Sequence, residues 1–206
     1  MTKTQTESLK VKEGRTELST KTRTFIHPAY RGTFAQLGEA INADGLQRPT
    51  MADTADLVHT AYNSDDKYSN EIKGIMKDGF FYVFNGNLYI PNRGVYIQDN
   101  PQVTDGRVFM DSNELERKLE AKDSSVRFVP FGFKTGEMTP LELGKNAFII
   151  GLAGKEGAQK LAEVADTYKR RPYLYSFESV DQPITRVSAL YDDWYVGRGL
   201  DVVGDI

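Results

Sequence analysis

The segment Phe80-Phe81-Tyr82-Val83-Phe84-Asn85-Gly86-Asn87-Leu88-Tyr89-Ile90 constrains the fold more than any other part of this chain. Aromatic and β-branched residues recur there with a period of two, the pattern of strands rather than helices. Asn85-Gly86 is the dipeptide that two-residue hairpin turns favour, because both turn positions need positive φ. A turn there sets Phe84 opposite Asn87, Val83 opposite Leu88, Tyr82 opposite Tyr89 and Phe81 opposite Ile90. Alternation then puts Phe81, Val83, Leu88 and Ile90 on a core side, and Phe80, Tyr82, Phe84 and Tyr89 on the other. A third strand over Val95–Gln98, joined through a two-residue turn at Asn92-Arg93, adds Val95 and Ile97 to the core side and sets Tyr96 opposite Tyr89. The pattern predicts an aromatic β-meander over about residues 80–98, with a cross-strand row Tyr82–Tyr89–Tyr96.

Before this segment the period is helical. Thr33 with Gln36 forms a capping-box pair ahead of Phe34, Leu37 and Ile41, and Gly45 supplies a stop. Thr50 and Asp53 open a second helix over Met51 to Tyr62, and Tyr68, Ile72, Ile75 and Met76 mark a third that Gly79 ends. Beyond the meander, Asn100-Pro101 and Asp105-Gly106 are turn signals, and residues 107–110 read as a short strand. Asp111 and Glu114 open a helix to Ala121 with Leu115 and Leu119 inward, and Val126–Phe133 is an aromatic strand. Thr139-Pro140-Leu141-Glu142 begins an apolar helix that Gly154 stops, and an amphipathic helix follows over Glu156–Arg170. Strands near Tyr173–Phe177 and Ile184–Tyr191 come next, and Trp194-Tyr195 leads into a last strand or irregular tail. This mixed order, without a sustained βαβ rhythm, predicts an α+β fold with a mostly antiparallel sheet packed by several helices. Residues 1–22, polar and threonine-rich, read as an N-terminal arm held by an edge strand or a neighbouring subunit, with 23–206 as one globular domain.

Composition narrows the chemistry. The chain has no cysteine, which excludes disulfides, thiolate metal sites and cysteine nucleophiles. Its formal net charge of −3 argues against a general polyanion binder, although a local basic patch is compatible with it. No apolar run approaches the ~18–20 residues of a membrane span, and the polar start is unlike a secretory signal, so a cytoplasmic setting without membrane contact is expected.

Two surfaces could carry binding. The outer face of the meander would form a platform of Phe80, Tyr82, Phe84, Tyr89 and Tyr96 with Arg93 at its rim, residue types common at binding hot spots. The competing account, which we favour, is that helices cover this face and make its tyrosines core residues. The run Tyr168-Lys169-Arg170-Arg171-Pro172-Tyr173-Leu174-Tyr175 interleaves cations and rings, as single-stranded nucleic-acid binders do. A structural account competes here too: Lys169, Arg170 and Arg171 would offset the dipole of a helix that Pro172 terminates.

Other patterns explain themselves more simply. Asp53, Asp56 and His59 share a helical face that could bind a divalent metal, but nothing supplies ligands from a second element, and a solvated face suffices. Gly151, Gly154 and Gly157 miss the phosphate-loop spacing and read as a helix–helix connection. His27 has no identifiable partner, and Tyr30-Arg31-Gly32 reads as the turn before the first helix. No metal or cofactor is expected. The chain is expected to be a non-catalytic interaction or assembly protein with a protein partner or a second copy of itself. The alternatives are a small enzyme using carboxylates, tyrosine or arginine in a pocket, and a single-stranded nucleic-acid binder through residues 168–175.

Overall fold

In a computed structural model of the chain, residues 11–12, 15–19, 24–27, 29–192 and 199–206 are described. The described elements run β1 (Val11–Lys12), β2 (Arg15–Ser19), β3 (Thr24–His27), α1 (Phe34–Ala43), α2 (Met51–Tyr62), α3 (Lys67–Asp78), β4 (Phe80–Ile90) and β5 (Gly94–Asp99). They continue with β6 (Gln102–Thr104), β7 (Arg107–Phe109), α4 (Ser112–Glu120), β8 (Val126–Pro130), β9 (Gly136–Glu137), α5 (Pro140–Lys145), α6 (Ala147–Ala165), β10 (Tyr173–Tyr175), β11 (Ile184–Asp192) and β12 (Leu200–Val203). The fold is α+β. A seven-stranded sheet in the order β8-β5-β4-β11-β12-β10-β9 is antiparallel except where β10 pairs β12. Within the segment expected to be a polar arm, β1 and β2 join β3 in a small antiparallel sheet. The other residues of 1–22, the side chain of His27 and the stretch containing Trp194-Tyr195 lie outside the described residues.

Start signals read from sequence recur in the fold. Thr33 and Gln36, Thr50 and Asp53, and Thr139 and Glu142 form reciprocal capping boxes at α1, α2 and α5. Asp66, not singled out in the sequence, caps α3 by accepting the Tyr68 and Ser69 backbone N–H bonds. Gly154 interrupts α6 at φ 72°, so the glycine stretch is a connection between two helical pieces. Gly151 serves close packing there, since a Cβ would fall 2.7 Å from both Ile97 and Val129.

The sheet corrects the predicted hairpin. β4 is one continuous strand of 11 residues, and Asn85-Gly86 lies inside it rather than at a turn. On the β11 side Val187 pairs with Gly86 and Ser188 with Val83, leaving Phe84 and Asn85 as a bulge. Asn85 is held through its side chain: Oδ1 accepts the Met51 N–H at 2.7 Å, and Nδ2 donates to Asp99 at 2.6 Å. Gly86 is required by crowding, because a Cβ there would fall 2.7 Å from the Met110 sulfur. The turn chemistry expected of Asn85-Gly86 is realised at Asp105-Gly106, where both φ angles are positive (51° and 75°) and Thr104 pairs with Arg107.

A second correction concerns register. The β4–β5 turn spans three residues, with Asn92 at φ 57°, and pairs Ile90 with Gly94. That is one residue off the expected pairing, so Tyr89 faces Val95 and Tyr96 faces Leu88. A one-residue slip exchanges the faces of a strand. Val83, Tyr89, Val95 and Ile97 therefore join the main core beneath α2, α3, α5 and α6. On the other face, Leu88 and Tyr96 pack with Leu115 of α4, while Tyr82 and Phe84 pack with Phe34 and Ile41 of α1. Leu119, expected inward, is 37% exposed. Among the described residues no helix is long and apolar enough to cross a membrane.

Candidate functional site: a basic, tyrosine-lined cleft

The six residues of the aromatic platform do not share a surface. Tyr89 lies in the main core beside Phe148 and donates its hydroxyl to the Gly204 carbonyl at 2.8 Å; burial pushes that hydroxyl well above the usual phenol range. Tyr96 is buried on the opposite face, with Arg93 stacked over it and over Phe128 and paired to Glu116 at 3.0 Å. Phe84 is covered by Phe34 and Arg48. Tyr82 is half-buried between Phe34 and Phe80, and Phe80 is the one ring of the five that is largely exposed. Continuous alternation along β4, combined with the three-residue turn, separates rings that a hairpin would have gathered.

The basic-aromatic run divides at Pro172. Arg171 turns toward Glu137 at 3.7 Å, and Tyr173 and Tyr175 lie ring to ring at 4.3 Å on β10. Tyr168, Lys169 and Arg170 instead enter a cleft of about 900 Å³ between α3 and the exit of α6. The helix expected to run to Arg170 stops earlier: α6 ends at Ala165, and the Thr167 hydroxyl donates to the Val164 carbonyl at 2.7 Å. Lys169 and Arg170 therefore follow in the turn beyond the helix end.

The opposite wall is α3, which contributes Asn70, Lys73, Gly74 and Lys77. Their spacing of three, four and seven residues places all four on one helical face. Asp66 anchors the start of this wall by accepting the hydroxyls of Ser64 at 2.6 Å and Ser69 at 2.7 Å. Burial alone would raise the Asp66 carboxyl, but the bonds from Ser64, Ser69 and Tyr68 outweigh it and hold the group at about 2. Lys73 donates to the Ser64 carbonyl at 2.7 Å and lies 5.8 Å from the centroid of the Tyr62 ring. Tyr62, at the end of α2, shares a hydroxyl–hydroxyl hydrogen bond with Tyr168 and so joins α2 to the exit of α6. The two rings are tilted by 48° and half-buried. Asp192, where β11 ends, completes the lining, and the Arg170 side chain lies against Gly199, before β12.

Four cations, Lys73, Lys77, Lys169 and Arg170, thus line a concave surface with the carboxylate Asp192, and Lys73 also pairs with the exposed Asp65 at 3.4 Å, in a chain whose formal net charge is −3. Lys77 and Lys169 form no ion pair among the described residues. The sequence exposed only one wall, because residues 168–170 are contiguous. The α3 wall was legible in principle as a polar stripe opposite Ile72, Ile75 and Met76, but nothing in the chain order says that it faces Tyr168.

The remaining candidates are structural. Asp53 caps α2, Asp56 accepts from Lys160 at 2.8 Å, and His59 pairs with Glu163 at 2.8 Å. The face expected to be solvated instead helps join α2 to α6. His59 and Gln159 hold the Glu163 carboxyl below its ordinary range. No group of three or more metal-ligating side chains comes together among the described residues. No protein-family model, curated protein or solved structure matches the chain.

Proposed function

We propose that this chain is a non-catalytic interaction protein, a component of a larger assembly, that holds an anionic partner in the cleft between α3 and the α6 exit. The observation that carries the reading is the convergence of Lys73 and Lys77 with Lys169 and Arg170 on two facing walls. Cations gathered in a concavity raise the local concentration of anions, and an anion that binds there releases its own counterions. The volume of about 900 Å³ lies within the range of roughly 300–1,000 Å³ common to ligand sites. The Tyr62–Tyr168 bond supports it further, since a tied pair of rings loses little freedom on binding.

The test is a salt titration of binding to heparin and to polyglutamate. Affinity should fall linearly with the logarithm of salt concentration. Reversing Lys77→Glu together with Lys169→Glu should reduce that slope by about two, near one for each lost contact. Wild-type protein that binds neither polyanion at about 50 mM salt would refute the proposal.

A further inference from the structure

The geometry points to single-stranded nucleic acid as the anion, with a base stacked on Tyr168 and its phosphates held by the two cationic walls. This rests on the anionic-partner reading and adds the ligand's class. An acidic peptide needs only the cations, whereas the cleft also offers ring surface between them. Lys73 already occupies the neighbourhood of the Tyr62 ring, and its bond to the Ser64 carbonyl holds it there. Tyr168 is half-buried, and its hydroxyl bond to Tyr62 fixes the ring's orientation. A fixed aromatic face beside cations is the arrangement on which any base can stack without regard to sequence. Asn70 adds an amide to the lining, a group that bonds sugar and phosphate oxygens. A base-paired duplex keeps its bases stacked inside and offers the ring no free face, so the inference selects single strands.

The experiment titrates the full chain with four fluorescent probes: oligothymidylate of about 12 nucleotides, its abasic counterpart of equal charge, a DNA duplex of the same length, and polyglutamate. Oligothymidylate should bind at least about fivefold more tightly than the abasic strand. Tyr168→Leu should abolish that preference without altering the salt slope, while Tyr168→Phe, which keeps the ring, should retain it. Gly74→Leu is a second arm that leaves the core alone. Gly74 lines the cleft and a Cβ there meets nothing within 4 Å, so the new side chain should block oligothymidylate without lowering the melting temperature. Equal binding of the thymidylate and abasic strands, tighter binding of polyglutamate, or tighter binding of duplex DNA would overturn the nucleic-acid assignment while the anion-binding cleft stands. Failure of all the probes to bind at low salt would remove both.

Discussion

The substitution Asn85→Asp separates this fold from the hairpin that its sequence advertises. In a two-residue turn Asp-Gly is as acceptable as Asn-Gly, and the substitution would be nearly silent. In the fold, Asn85 is fully buried, and its Nδ2 donates to an Asp99 oxygen that Arg127 also holds in a bidentate pair. An aspartate in place of Asn85 sets two carboxylates at hydrogen-bond distance with no proton between them. The variant escapes by keeping one proton: the new side chain, as a neutral carboxylic acid, still donates to Asp99 and still accepts from the Met51 N–H. Holding a proton at pH 7 on a group whose unfolded pKa is about 3.9 costs about 4 kcal/mol, which bounds the penalty from above. Arg127 lowers it by offsetting the charge of Asp99. The sign follows from linkage, because the folded pKa is raised above the unfolded one. The penalty is absent below about pH 4, grows by about 1.4 kcal/mol per unit above it, and levels off at the folded pKa. Urea unfolding of variant and parent at pH 5 and pH 7 should therefore give a gap of about 1.5 kcal/mol that widens to as much as about 4. In a chain of this size the larger figure lowers the melting temperature by roughly 8–16 °C. A difference below about 0.5 kcal/mol at both pH values would refute the continuous strand.

Two further outcomes concern the packing and the cleft wall. Gly204→Ala would place a Cβ 2.4 Å from a Phe148 ring carbon and 3.1 Å from the Tyr89 hydroxyl, so it should cost about 1–3 kcal/mol in chemical denaturation. The Tyr89→Phe variant should lose less, because the Gly204 carbonyl keeps its bond from Asn87. Asp66 is held at about 2, below the ordinary carboxylate value of 3.8, so its contribution is fully present above about pH 4 and is lost as pH falls toward 2. Asp66→Ala should flatten that part of the stability–pH curve and remove the α3 cap, at about 1 kcal/mol near neutrality. An unchanged acid limb would contradict the assigned bonds.

Helix starts and the strand character of residues 80–98 were legible in the sequence because they rest on local chemistry. A threonine three residues before a glutamine, aspartate or glutamate satisfies backbone donors within a single turn, whatever the rest of the chain does. The positive-φ turn at Asp105-Gly106 and the break at Gly154 are equally local. Asn85-Gly86 misled because the same dipeptide serves two ends. Its turn propensity is local, but its buried amide bonds to Met51 and Asp99, and the crowding of Gly86 by Met110, come from partners distant in sequence or on other elements. The loop length at Pro91-Asn92-Arg93 likewise decided by one residue which face Tyr96 occupies.

The cleft divides along the same line. Residues 168–170 could be read from the chain because they are adjacent, and contiguous cations next to a tyrosine are visible in any listing of the sequence. Their meeting with Lys73 and Lys77 depends on the packing of α2 and α3 and on the hydroxyl bond between Tyr62 and Tyr168, 106 residues apart. By itself, then, the sequence determined the α+β class, the helix starts and the strand period, each of which one or two turns of backbone can satisfy. Tertiary structure alone decided the register, the faces of the aromatic rings and the joining of two cationic segments into one cleft, because each depends on contacts that chain order does not encode.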